Sequence, residues 1–243
     1  MLKETTKRAV VALANQDALA PLLSRVLRAS AHALLAQNKP VLSYNYPHRL
    51  AAAKLIKQVQ TERDTQLRLE EAYTVFATVK QTAKVPGDIA EVGVYQGASA
   101  KLICEAKGAR HLHLFDTFEG LPPQQSEIDA AHFFPGNYAC SLEKVRQYLS
   151  AYSEVSFYKG LFPETAAPVS DRKFSFVHLD VDLYESTRNC LEFFYPRMSP
   201  GGVIVSHDYF WPGVRAAFHE FFADNPEPVL EMAGNQCLVV KAS

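Results

Sequence analysis

The sequence predicts a Rossmann-like α/β fold, a seven-stranded mainly parallel sheet whose last strand is antiparallel. Three observations predict it. After Pro86-Gly87, short apolar runs alternate with helical segments, the pattern of a parallel sheet wrapped by helices. Only Ala233-Gly-Asn-Gln236 separates the last two candidate strands, which implies a closing hairpin in a sheet otherwise built by right-handed crossovers. A chain of 243 residues is ample for one α/β domain with a helical accessory segment and too short for two full domains.

The elements follow in chain order. From Ala18 to about Ala83 the pattern is helical: Leu19, Leu22, Leu23, Val26 and Leu27 recur at three and four, and Leu67 to Val79 behaves likewise. Pro40-Val-Leu-Ser-Tyr-Asn-Tyr-Pro47 interrupts it, because proline disfavours helix at its own position and at the one before. Residues 1–85 therefore read as an N-terminal helical segment and 86–243 as the α/β domain. Within the latter, strands are expected at Ile89–Val94, His111–Phe115, Val155–Tyr158, Phe174–Leu179, Val203–Ser206, Val229–Met232 and Cys237–Val240. Helices fit at Ala98–Ala106, Leu142–Leu149, Ser186–Tyr195 and Val214–Ala223. Seven strands with the last reversed is the plan of class I methyltransferases, a fold analogy that carries no reaction by itself.

Composition excludes several classes. Apolar residues make up 48% and charged residues 21%, as in an ordinary globular protein. A net charge of -1 implies no broad attraction to nucleic acid or an anionic membrane. Cys104, Cys140, Cys190 and Cys237 form no CxxC pair, so neither a disulfide scaffold nor a structural zinc site is expected. The apolar run Ala9–Ala14 is cut short by Asn15, Gln16 and Asp17, and no other stretch could span a bilayer. The expectation is a cytoplasmic protein with reduced thiols.

The first chemical motif, Glu91-Val-Gly93-Val-Tyr95-Gln-Gly97-Ala-Ser99, lies where a buried strand turns into a helix. Glycines there admit a ligand close to the backbone, and the helix start beyond offers unpaired N–H groups. Tyr95 stands where a dinucleotide fingerprint needs its second glycine, which disfavours NAD and favours a ligand carrying a carboxylate. The methionine end of S-adenosylmethionine is such a ligand, with Glu91 attracting its ammonium; the alternative is a glycine-shaped turn and nothing more. The second motif is Phe115-Asp116-Thr117-Phe118-Glu119-Gly120-Leu121-Pro122-Pro123, with Asp116 nineteen residues beyond Gly97. An acid at that strand end can accept both ribose hydroxyls of a nucleoside, and Phe118 could cover the adenine. A helix or turn cap is the plainer role for Asp116. Gly160-Leu-Phe162 after the third strand is placed to flank the adenine, with core packing as the competing role.

The third group is His178-Leu-Asp180-Val-Asp182-Leu-Tyr184-Glu185, followed by Val205-Ser-His207-Asp208-Tyr209. Asp180 and Asp182 face one side if the chain stays extended there, and Asp208 ends the next strand. Converging carboxylates need a cation or a held proton. Oxygen ligands suit Mg²⁺, with His207 tolerable as a further ligand and better matched to a transition metal. Helix caps bridged to Arg188 or Arg215 are the structural alternative.

Four separated stretches resemble one family in order: Gly87-Asp-Ile-Ala-Glu-Val-Gly-Val94, Phe115-Asp-Thr-Phe-Glu-Gly-Leu-Pro122, Asp180-Val-Asp-Leu-Tyr-Glu-Ser-Thr187 and Ser199-Pro-Gly-Gly202. They look like the macrocin O-methyltransferases, which methylate sugar hydroxyls on antibiotics, and the resemblance spans about residues 66–242. It implies an S-adenosylmethionine-dependent enzyme, usually Mg²⁺-dependent, with metal held at the Asp180 and Asp208 positions and a base in the Asp-x-Asp pair. The chain departs from the family where His207-Asp208 stands in place of two consecutive acids.

The expected chemistry is methyl transfer to a hydroxyl of a small molecule or glycan. It needs an oxygen held in line at near-attack distance and an acceptor for its proton. Asp182 is the first candidate base, Asp180 the second, and His207 the choice in a metal-free site. The connection Gln124–Tyr138, with its aromatic Ala131-His-Phe-Phe-Pro-Gly-Asn-Tyr138, reads as a lid over the acceptor or as packing on the core. Residues 1–65 suit a substrate cover or a homodimer contact. Rival functions are a nicotinamide-dependent oxidoreductase and a non-catalytic scaffold of the same fold.

Overall fold

The computed structural model describes residues 47–123, 126–129 and 133–243. The helix expected over Ala18–Leu27 and the break beginning at Pro40 lie outside those residues. Two helices come first, α1 (Pro47–Glu62) and α2 (Leu69–Gln81). Then β1 (Asp88–Val92), α3 (Ala98–Ala106), β2 (Leu112–Asp116), α4 (Leu142–Tyr148), β3 (Val155–Lys159) and β4 (Phe174–Leu179) alternate. The chain closes with α5 (Tyr184–Phe194), β5 (Met198–Ser206), α6 (Pro212–Phe222), β6 (Leu230–Glu231) and β7 (Cys237–Val240).

The strands form one sheet in the order β3-β2-β1-β4-β5-β7-β6. β1 to β5 pair in parallel, and β7 runs antiparallel to both β5 and β6. This is the class I methyltransferase plan that the strand pattern predicted. All six residues of β4 are buried, because helices cover both faces of a parallel sheet and leave no polar side. On one face Val75 and Val79 of α2 pack with Ile103, Val145, Ile89 and Phe176. On the other, Leu191 and Phe194 of α5 and Val214 and Phe218 of α6 close over Val177 and Ile204. The chain leaves β1 toward β2 and β3, then returns to β4 on the opposite side. A crevice opens at such a switch point, at the carboxyl ends of β1 and β4.

Several boundaries shift by one or two residues from the sequence reading, and three of the differences bear on the architecture. β5 begins at Met198, so Pro200-Gly-Gly202 runs within the strand, across a register irregularity between Phe174 and Phe176. β6 keeps only two residues, both exposed at the sheet edge. α5 starts at Tyr184, two residues early, because its N–H donates to Asp129 Oδ2 at 2.9 Å. Asp129 lies 55 residues upstream, so no local signal in the sequence could reveal that cap.

Helix α1 is tied down through Glu62. Lys101 Nζ and Tyr148 Oη each donate to Glu62 Oε2 at 2.7 Å, joining α1 to α3 and α4. Those bonds hold the carboxyl down to about 2, against an ordinary 4.5. A group depressed on folding stabilises fully above its unfolded pKa and loses that contribution as pH falls through the folded one. Glu62→Gln is therefore expected to melt lower than wild type at pH 7. The gap should close as pH drops from the ordinary carboxylate range toward 2; a gap that circular-dichroism melts find constant across that window would contradict the assignment.

Candidate active site

A cleft of about 400 Å³ opens at the carboxyl ends of β1, β4 and β5, a size usual for small-molecule sites. Its first wall is the turn after β1. Gly93 has φ +85°, and a Cβ there would lie 1.8 Å from the carbonyl oxygen of Asp180. The glycine is therefore demanded by the neighbouring strand's exit. Gly97, with φ +83°, starts α3, and a Cβ on it would come to 3.0 Å from Val145 Cγ1. Tyr95 and Ser99 line the same wall, and Tyr95 Oη donates to Asp64 Oδ2 at 3.0 Å.

Asp116 ends β2 beside that turn. Its Oδ2 accepts the N–H groups of Val94 and Tyr95 at 2.6 and 2.9 Å, and Oδ1 accepts that of Phe118 at 2.6 Å. The carboxylate thus staples the glycine turn to the tip of β2. Oδ1 keeps one acceptor site beyond the Phe118 N–H, and Asp116 and Thr117 both line the cleft.

Two expected cofactor contacts lie elsewhere. Glu91 is fully buried beneath the floor, with its Oε1 2.8 Å from His178 Nδ1. Burial raises its pKa, against hydrogen bonds from His178 and Ser99, and it does not reach the cleft. Phe118 is also turned inward, packed with Val145 and Leu149 rather than against the cleft. Apolar burial has claimed the ring expected to cover a base. Gly160 and Phe162 do line the cleft, but Phe162 is largely buried, stacked on Phe194 at 5.2 Å and edge-on to Phe115.

The acids line the same cleft, starting at the strand exit that Gly93 abuts. β4 and β5 are neighbours with Leu179 paired to Ser206, which brings Asp180 beside His207 and Asp208. Asp182 joins them by a different route from the extended chain that the sequence implied. The Leu183 N–H closes a tight turn onto the Val181 carbonyl at 2.6 Å, and Asp182 has φ +60°. Asp208 has φ +58°. Left-handed backbone on non-glycine residues is costly and gathers at functional sites; Tyr95 and Tyr138, also on the cleft, share it.

His207 Nδ1 lies 3.2 Å from Asp180 Oδ1 and 2.9 Å from Asp208 Oδ2. Burial and the adjacent Asp208 and Asp180 carboxylates hold Asp182 well above the carboxylate range. Burial lifts Asp208 as well, against the hydrogen bond and charge of His207. Asp180 is drawn below its ordinary value despite burial, by His207 and His178. His207, against its burial, is pushed well up by Asp180, Asp208 and Glu71. Separations near 3 Å between Nδ1 and the two oxygens are those of adjacent ligands about 2.1 Å from one ion. The donor set of Asp180, His207 and Asp208 therefore fits a divalent cation.

Sequence reading missed Glu71, Asp64, Arg68, Trp211 and Asn235. Glu71 alone left a trace: it sits four residues before Val75 on the buried face of α2, an acid on an apolar stripe. In the aromatic connection, Phe133 and Tyr138 line the cleft, and Phe133 packs edge-on to Trp211 at 5.3 Å. Ala131 and His132 of that motif lie outside the described residues. The four cysteines are free, and among the described residues no helix is long and apolar enough to cross a membrane.

Comparison with known proteins agrees with this geometry. The family described as Macrocin-O-methyltransferase (TylF) matches residues 55–232. The 8-demethyl-8-(2,3-dimethoxy-alpha-L-rhamnosyl)-tetracenomycin-C 4'-O-methyltransferase of Streptomyces olivaceus is 35% identical over 152 residues, 56% of this chain and 58% of that protein. The mycinamicin III 3''-O-methyltransferase of Micromonospora griseorubida is 30% identical over 154 residues, 56% of this chain and 61% of that protein. The chain thus spans about three-fifths of the length of these curated relatives. The structure of the O-methyltransferase NovP matches with a TM-score of 0.65 at 26% identity, over 74% of this chain and 82% of that one.

Proposed function

Because the chain belongs to the macrocin O-methyltransferase family, we propose that it transfers the methyl group of S-adenosylmethionine to a hydroxyl oxygen of a sugar or another small-molecule acceptor, with a divalent cation's help. One observation carries the reading: the Gly93 turn with Asp116 and the acid group Asp180, Asp182, Asp208 line a single cleft. The relatives named above act on sugar-bearing natural products, which supports a glycosidic acceptor without naming it.

In this reading the cofactor's amino-acid end lies along the turn from Gly93 to Ser99, and its ribose against Asp116. When bound, the sulfonium supplies an already activated methyl group, and a dication held by Asp180, His207 and Asp208 supplies Lewis acidity toward the acceptor hydroxyl. The chain's own task is orientation, exclusion of water and removal of one proton. Asp182 lies on the cleft beside the ligand set without belonging to it, so it is assigned as the base. Phe133, Tyr138 and Trp211 would hold the acceptor's apolar face, as aromatic rings do at sugar sites.

The test is methyl transfer from isotopically labelled S-adenosylmethionine to a panel of glycosylated and phenolic acceptors, with and without chelator. Label should appear on a hydroxyl oxygen and fall at least about tenfold on chelation. Incorporation into no acceptor, or into nitrogen or carbon alone, would count against the proposal.

A further inference from the structure

Glu71 stands out among the groups that the proposed reaction leaves without a task. It is 1% exposed, one turn into α2, facing away from its own helix's solvent side. Its Oε2 accepts the Arg68 N–H at 2.8 Å and lies 3.4 Å from His207 Nε2, while Oε1 accepts the Asn235 N–H at 2.8 Å. A buried acid costs free energy unless it is paired and hydrogen-bonded. Here His207 and the two backbone donors supply that pairing.

The imidazole of His207 is consequently gripped from both sides. Glu71 is at Nε2; Asp180 Oδ1 and Asp208 Oδ2 are at Nδ1, 3.2 and 2.9 Å away. A carboxylate behind one ring nitrogen holds a proton there, so a cation seated among Nδ1 and the two oxygens would displace only the proton at Nδ1. Oxygen donors alone suit Mg²⁺, which dehydrates reluctantly, whereas an imidazole nitrogen suits the borderline transition ions.

We propose that His207 binds the metal through Nδ1, that Glu71 is the positioning residue fixing that tautomer, and that the site selects a transition dication such as Co²⁺, Mn²⁺ or Zn²⁺ over Mg²⁺. The inference rests on the metal-assisted reading given above. The nitrogen ligand thus comes with its own supporting carboxylate from α2.

The experiment titrates the full chain with Co²⁺ and with Mg²⁺ by calorimetry, and follows the visible absorption of bound Co²⁺. Glu71→Gln is expected to weaken Co²⁺ about 10- to 100-fold, the usual effect of losing a ligand's supporting partner, with Mg²⁺ changed much less. His207→Asp restores an all-oxygen set, so it should shift the Co²⁺ bands and cut the preference for Co²⁺ over Mg²⁺ about tenfold or more. S-adenosylmethionine affinity, read in the same proteins, reports whether each variant is folded. Co²⁺ bands and a metal preference that survive His207→Asp unchanged would overturn the inference and leave metal assistance standing. Binding of neither ion by a wild-type protein that still takes up S-adenosylmethionine would remove the metal reading itself, and this inference with it.

Discussion

Asp182→Asn is expected to lower turnover by about a hundredfold to ten-thousandfold, the range ordinarily supplied by a positioned base, while leaving S-adenosylmethionine affinity nearly unchanged. The substitution keeps the side chain's size and removes its capacity to take a proton. It also removes a carboxyl whose ionisation burial and the Asp208 and Asp180 carboxylates oppose, so the folded protein should melt at the same temperature or higher. That combination is informative. A residue needed only for structure would lose stability and activity together, whereas a base held at a strained, repulsive position loses activity and gains stability. Single-turnover kinetics, calorimetry with the cofactor and a thermal melt on one preparation check all three. Unchanged turnover would take Asp182 out of the reaction and leave Asp180 as the next candidate.

Gly93→Ala is expected to have the second large effect, on folding and cofactor binding together. A Cβ at 93 would sit 1.8 Å from the Asp180 carbonyl oxygen, which is backbone and cannot swing aside, and φ there is +85°. Either β1 or the exit of β4 must move, and those two segments carry the glycine turn and the acid group. A loss of about 3 kcal/mol or more is expected, as for other substitutions that strain a special backbone conformation. Gly108→Ala is the internal control. Its φ is +62°, but nothing lies within 4 Å of the added methyl, so it should cost only the left-handed penalty of about 1–2 kcal/mol. Denaturant melts that rank the two variants equally would refute the steric account of the turn.

The sheet was legible in the sequence because its central strands are buried on both faces and read as apolar runs. Phe174–Leu179 and Cys237–Val240 fall where periodicity placed them, and the short Ala233–Gln236 link correctly foretold a reversed last strand. The clustering of the candidate site was legible at the strand ends: Gly93, Asp116, Asp180, Asp182, His207 and Asp208 line one cleft. It was misread where a side chain's direction depends on the layer behind it. Glu91 follows the period of β1 into the core, where His178 of the adjacent strand receives it. Phe118 turns inward because a large apolar ring gains more from burial than from lining a wet cleft. Asp129 could not be found locally and Glu71 showed only as an acid on an apolar stripe, since the groups they serve lie 55 and 136 residues away.

The central claim is that a sulfonium nucleoside occupies the cleft between the Gly93 turn and the acid group. Calorimetric titration with S-adenosylmethionine, its demethylated product and NAD tests it most directly. Saturable one-to-one binding of the first two with no heat from NAD is the predicted result; binding of NAD alone, or of none of the three, would contradict the account.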